Sequence, residues 1–111
     1  MSLSWDEFEK VEIRVGTVLE VLDFPEARRP AYKLKIDLGP ELGVKWSSSQ
    51  ITKHYSKEDL IGKRVLCVCN FAPKQVGPFM SEVLTTGFYD ENGDVVIPTV
   101  EKPIQNGARL A

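Results

Sequence analysis

From Val11 to Leu22 the chain alternates. Val11, Ile13, Val15, Thr17, Leu19 and Val21 fall on one face, and Glu12, Arg14, Gly16, Val18, Glu20 and Leu22 on the other. A period of two kept over a dozen residues predicts a long β-strand. Gly16 in its middle predicts a bulge or sharp bend, the device that lets a strand curl around a small barrel. Upstream, Ser4-Trp5-Asp6-Glu7 has the spacing of a capping box and predicts a short helix that carries Trp5 and Phe8. Downstream, Phe24 to Pro30 is a connection bracketed by prolines. Tyr32, Leu34, Ile36 and Leu38 then alternate with Lys33, Lys35 and Asp37 as a second strand, which Gly39-Pro40 ends.

A third strand is predicted from Val44 through Trp46 towards Ser48. Ser56-Lys57-Glu58-Asp59 is another N-cap pattern and opens a brief helix closing at Gly62. Val65 to Val68 is apolar on both faces, as a central strand would be. Glu82 to Phe88 reads as a further strand, followed by the turn signal Asp90-Glu91-Asn92-Gly93 and the return Val95-Val96-Ile97. The expected fold is therefore all-β: a five-stranded OB-type barrel with short helices and with N- and C-terminal extensions, in one domain over residues 1–111. Such barrels commonly bind nucleic acids or other ligands, but the fold alone does not settle which.

Composition narrows the class. Of the 111 residues 42% are apolar and 27% charged, close to the globular average. A chain of this size buries only ~60–70% of its unfolded surface, so pairing with a second copy would help it. No run approaches the ~18 apolar residues of a membrane span, and MSLSWDEFEK lacks the basic and apolar regions of a secretion signal. A cytoplasmic location without membrane insertion is expected, and two cysteines suit a reducing compartment.

The net charge is −2, yet its distribution is uneven: Arg28 to Lys74 holds ten Lys/Arg against four Asp/Glu, between acidic ends. This basic middle is either a polyanion footprint or a solvated surface whose charges intermix in three dimensions. Arg28, Arg29, Lys33, Lys35, Lys53 and Lys74 are the candidates for contacting RNA.

Catalytic and metal chemistry find little support. Cys67 and Cys69 lie two apart on a strand, poor geometry for a disulfide, and read as buried structural thiols. Zinc would need about four ligands, and His54 is the only histidine. No nucleophile elbow and no phosphate loop occurs. An enzyme is not expected, nor a metal or cofactor.

Two segments stand out. Lys45 to Thr52 crowds Trp46, Ser47, Ser48, Ser49 and Gln50 at one strand end, where hydroxyls and amides suit a peptide backbone or a sugar-phosphate, or simply a polar turn. Asn70 to Ser81 places Phe71, Phe79 and Met80 in a loop rich in Pro and Gly. Such side chains suit adaptable recognition of apolar groups, or a loop folded over the barrel end as a plug.

These segments, together with Glu12-Ile13-Arg14-Val15-Gly16-Thr17-Val18 and Ile36-Asp37-Leu38-Gly39, resemble the tRNA-binding domain family. Phe24 to Leu34 resembles F-P-E-A-R-x-P-A-Y-K-L, Ser47 to Thr52 resembles S-S-x-Q-I-T, and Ser81 to Leu84 matches S-E-V-L; all three are features of its CsaA branch of secretion chaperones. The resemblance runs from about Phe8 to Arg109. It implies a homodimer that binds unfolded preproteins or exposed peptides and assists their export, without ATP and without chemistry. Asn70, Pro73 and Ser81 match the family's ligand-binding loop, and Ser48, Ser49 and Gln50 the CsaA segment. With Trp46, Phe71, Phe79 and Met80 these form the expected peptide site. tRNA is the alternative partner, although Gln75 follows Lys74 where relatives often have a second basic residue, and Pro78 stands where relatives have glycine, which here falls at Gly77.

Overall fold

The computed structural model describes residues 1–111. Its frame is β1 (Ile13–Asp23), an eleven-residue strand with a different neighbour along each part of its length. The second half of β1 pairs antiparallel with β2 (Tyr32–Asp37), and its first half with β4 (Arg64–Val68). β3 (Val44–Ser49) lies beyond β2, and β7 (Leu84–Thr85) beyond β4, giving the order β3-β2-β1-β4-β7. The sheet curls until Thr85 Oγ1 of β7 donates to Ser47 Oγ of β3 at 2.9 Å, a bond buried in the barrel. This nearly closed, five-stranded antiparallel barrel is an OB-fold.

The bend lies beyond its predicted position at Gly16. The register with β2 slips between Val18 and Glu20, so Leu19 is the extra residue and stands 45% exposed. The slip reverses the alternation beyond Val18: Gly16 and Val18, the latter 1% exposed, face the core, and Val21, expected on the opposite face with Val15, joins them there. At the bulge Val18 donates to Lys63 O and accepts from Gly62 N, which couples β1 to the segment leading into β4. Gly16 has another role. A Cβ there would sit 2.5 Å from Ile36 Cγ2 and 2.8 Å from Leu38 Cδ2, so the glycine lets β2 cross closely over β1.

Val18, Val21, Leu34, Ile36, Leu38, Ile51, Leu60, Val65, Cys67 and Val83 form one apolar cluster inside the barrel. Each such aliphatic side chain, fully buried, stabilises by roughly 1.5–3 kcal/mol. Both capping boxes form as their spacing requires: Ser4 with Glu7 opens α1 (Trp5–Glu9), and Ser56 with Asp59 opens the later short helix. In each box the capping hydrogen bonds hold the carboxyl below its ordinary range. A short turn of helix, α2 (Gly39–Leu42), joins β2 to β3, and α3 (Lys57–Leu60) lies between β3 and β4.

Two expected strands differ. The predicted Glu82–Phe88 strand is split, because Thr86 bonds to Leu66 O through both its N–H and its hydroxyl, and the chain then leaves the sheet at Gly87. Beyond Gly87 the chain forms a separate hairpin, β8 (Phe88–Tyr89) and β9 (Val95–Val96), turned at Asp90–Gly93. The Pro/Gly-rich loop contains a hairpin of its own, β5 (Lys74–Val76) and β6 (Phe79–Ser81).

The C-terminal tail continues the slot that β2 leaves beside β1. Val15 N donates to Ala108 O at 3.0 Å, Gly107 N to Val15 O at 2.7 Å and Leu110 N to Ile13 O at 2.8 Å. Side chains lock it: Thr17 Oγ1 donates to Asn106 Oδ1 at 2.8 Å, and Arg14 Nη1 to Gly107 O at 3.0 Å. Arg14 also pairs with Glu12 and Glu41, which raise its already high pKa.

Replacing Gly16 with Ala is expected to destabilise the fold by about 1–3 kcal/mol through overpacking against Ile36 and Leu38. Urea denaturation monitored by Trp fluorescence reads the loss, and an unchanged midpoint would show that β2 need not approach so closely.

Candidate ligand-binding site at the β3 edge

β3 is the outer strand on its side of the sheet, so the backbone groups of Trp46 and Ser48 that point away from β2 need other partners. The chain at the end of β6 supplies them. Trp46 N donates to Glu82 Oε1 at 3.0 Å, Glu82 N donates to Trp46 O at 2.8 Å, and Ser48 N donates to Ser81 Oγ at 2.9 Å. Ser81 Oγ in turn donates to Val83 O at 3.3 Å. A peptide added as a further strand would find these groups occupied, so a ligand here must be met by side chains.

Those side chains form an aromatic cluster. The β5–β6 hairpin carries Phe79 back over the barrel, where it stands edge-on to Phe24 at 5.4 Å and to Trp46 at 6.2 Å between ring centroids. Lys33, opposite Ser48 in the β2–β3 register, holds its Nζ 4.9 Å from the Phe24 ring centre and 5.5 Å from that of Phe79. Both distances lie within reach of a cation–π attraction. Lys33 and Phe79, assigned to RNA and to peptide respectively, thus belong to one site. Beside it Lys45 and Glu82 face each other at 4.0 Å. The cluster offers an apolar surface with one cation at its rim and one carboxylate at its edge.

The other expected residues divide by position. Met80 alternates away from Phe79 and is 47% exposed, and Phe71 is 60% exposed. Phe79 therefore packs back on the barrel, while Met80 of the hairpin and Phe71 of the loop before it stand exposed. Gln50 is exposed just past β3, and Pro73 and Lys74 are exposed at the start of the hairpin. Ser49 is buried beside Ser47. Asn70 is engaged elsewhere: its Oδ1 accepts from Glu12 N at 3.0 Å and its Nδ2 donates to Lys10 O at 2.6 Å, bracing the entry to β1. Arg28, Arg29 and Lys53 lie exposed on loops, and Lys35 faces Glu20 at 3.9 Å. Phe24 is a site residue that sequence reasoning misses; its sole signal is an aromatic ahead of a proline-bracketed connection.

Reactive groups are subdued. Burial pushes the Cys67 thiol up to about 12 and raises that of Cys69, so neither is a ready nucleophile at neutral pH. His54 Nε2 lies 2.7 Å from Asp90 Oδ2, with an Asp94 oxygen within 4.8 Å of both. The hydrogen bond with His54, reinforced by backbone N–H groups of Asp94 and Asn92, holds the Asp90 carboxyl below its ordinary range. With both Asp90 oxygens already accepting hydrogen bonds, the group clamps the β8–β9 hairpin to the loop after β3.

Ser81→Ala removes the acceptor for Ser48 N–H and is expected to cost about 1–2 kcal/mol. Hydrogen exchange should show the Ser48 amide losing protection while the β1–β2 amides keep theirs. Equal protection in the variant would mean the β3 edge is held by other means.

Residues 13–109 match the tRNA-binding domain family. The chaperone CsaA of Bacillus anthracis superposes with a TM-score of 0.94 at 45% identity, each chain covered in full. A CsaA chaperone of Picrophilus torridus superposes at 0.93 with 44% identity, covering 99% of this chain and all of its own. The methionine–tRNA ligase of Methanocaldococcus jannaschii is 36% identical over 102 residues, which are 92% of this chain but 15% of the ligase. The chain thus spans about a seventh of the length of that relative. With the family match running through nearly the whole barrel and the CsaA structures alike from end to end, this protein belongs to the tRNA-binding domain family, in its CsaA-like branch.

Proposed function

We propose that the chain, acting as one module over residues 1–111, is an ATP-independent, export-related chaperone. In this reading it works as a cytoplasmic homodimer that holds unfolded preproteins or peptides. The observation that carries it is the Trp46–Phe79–Phe24 cluster with Lys33 at its rim and exposed Met80 next to Phe79 in the hairpin, with exposed Phe71 in the loop leading to that hairpin. The likeness to two CsaA chaperones supports it. Apolar side chains of an extended segment would lie against Phe79, Met80 and Phe71, while Ser48, Gln50 and Lys33 meet polar groups between them. Since the edge of β3 is occupied, binding is by pockets for side chains and not by strand addition, and this favours tolerance of sequence. Coupling to an export machinery is part of the same proposal.

The dimer reading rests on Trp5 at 82% exposure, with Phe88 and Tyr89 of the β8–β9 hairpin and Ile104 and Leu110 of the tail also exposed. So much exposed apolar surface at the extensions is what association through them would cover. Light scattering at micromolar concentration is expected to give twice the 12.5 kDa chain mass; a monomer would count against the homodimer.

A second reading, tRNA binding, is favoured by the family match and by Arg28, Arg29, Lys53 and Lys74 lying exposed. Fluorescence anisotropy of a labelled, unfolded preprotein segment separates the two. Saturable binding near physiological salt that bulk tRNA fails to displace supports the chaperone. Displacement by tRNA, with steep weakening as salt rises, supports RNA. The double variant Phe71→Ala, Met80→Ala removes exposed side chains and leaves the core intact. It is expected to weaken peptide binding roughly tenfold, about 1.4 kcal/mol. Unchanged affinity in the folded variant would sink the apolar site.

A further inference from the structure

The β5–β6 hairpin is tied down at its two ends and hardly at all between them. Asn70, ahead of it, is bonded to Lys10 and Glu12, while Ser81 and Glu82, at its close, are bonded to Ser48 and Trp46. From residue 71 to residue 80 no hydrogen bond reaches the rest of the chain. The β5–β6 pairing and the bond from Gln75 Nε2 to Gly77 O at 3.1 Å are internal to the hairpin. A segment so exposed and so sparsely tied opens at little cost compared with the core strands.

The side chain that seats the hairpin is Phe79, and its seat is made entirely by other elements. Phe24 comes from the connection after β1, Lys33 from β2 and Trp46 from β3, so all three stay in place when the hairpin lifts. Phe24, at the base, is 3% exposed, whereas Phe79 above it is only half-buried. Near the turn, Gly77 lies against the same connection: a Cβ there would stand 3.9 Å from Glu26 Cβ. One aromatic side chain on a short extended strand thus occupies a receptor of two rings and a cation. An extended polypeptide bearing an aromatic residue would present the same group in the same way.

We propose that Phe79 is a resident stand-in for the client. The space between Phe24, Trp46 and Lys33 is a subsite for one aromatic side chain of an extended polypeptide, which enters by displacing Phe79 as the hairpin lifts. This rests on the reading of the β3-edge cluster as the client site, and it moves Phe79 from a contact surface to a gate. The incoming ring regains the edge-on contacts and the nearby cation that Phe79 gives up, so capture is an exchange. Apparent affinity is reduced by the fraction of time the subsite stands vacant. Segments without an aromatic side chain cannot make the exchange.

The test is fluorescence anisotropy with a labelled, unfolded preprotein segment carrying one Phe, against a counterpart with that Phe changed to Ser. Preference for the Phe segment is expected. Phe79→Ala, which removes the internal competitor, is expected to bind it about tenfold tighter, the gain if the subsite is vacant about a tenth of the time. A second variant, Glu26→Cys with Gly77→Cys, places its Cβ atoms within disulfide reach, so oxidation staples the hairpin with Phe79 seated. Its oxidised form is expected to bind about tenfold more weakly than its reduced form. Comparing two redox states of one variant cancels the strain that a φ of +56° at Gly77 puts on any side chain. Looser or unchanged binding by folded Phe79→Ala, equal binding by both redox states, or indifference to the Phe would each overturn the exchange and leave the chaperone reading standing. Failure of the wild type, Phe79→Ala and the reduced double variant alike to bind the segment would overturn both.

Discussion

One strand carries the hydrogen bonding of three other segments. β1 gives its second half to β2, its first half to β4 on one side and to the C-terminal tail on the other. The strand turns at Leu19, where the extra residue brings Val21 to the core face already held by Gly16 and Val18. Without the extra residue, alternation from Gly16 and Val18 would carry Glu20 inward and turn Val21 out. The inward packing of Val21 and the bonds from Val18 to Gly62 and Lys63 meet at that local irregularity.

The proposed binding surface depends on the way the β3 edge is finished. β3 lacks a full neighbouring strand, and the chain uses the side chains of Ser81 and Glu82 and the backbone N–H of Glu82 to satisfy the outward groups of Trp46 and Ser48. These residues stand at the end of the β5–β6 hairpin, so the segment that closes the edge also delivers Phe79 to the space between Phe24 and Trp46. Edge closure and the assembly of the aromatic cluster are one structural event. Lys33, reaching the same rings from β2, gives the cluster its cation.

Much of the frame is legible in residue order, and the failures share a cause. The capping boxes at Ser4 and Ser56 and the strand of Tyr32 to Asp37 are local patterns, and they fold as their spacing demands. The bulge is hidden because Gly16 marks a close crossing of two strands, whereas the slip occurs among Val18 and Leu19, which are equally apolar and carry no punctuation. The strand from Glu82 to Phe88 breaks at Thr86, whose hydroxyl partner lies twenty residues away on Leu66. Within the site, Phe71, Phe79 and Met80 are visible as aromatic or flexible side chains in an unusual loop. Phe24 and the meeting of Lys33 with Phe79 are not, because they depend on a hairpin folding back across the barrel. Asn70 matches a motif, yet its side chain braces the backbone of Lys10 and Glu12.

The finished edge of β3 has a meaning beyond shape. A sheet that ends in open backbone groups is a template on which another extended chain can grow, and growth of that kind leads to fibres. A protein that works beside unfolded polypeptide, as proposed here, would be unusually exposed to that hazard. By committing Ser81 and Glu82 to Trp46 and Ser48, this chain closes that stretch of its own edge to strand addition, and a client held as proposed would meet rings and hydroxyls in place of a backbone ladder.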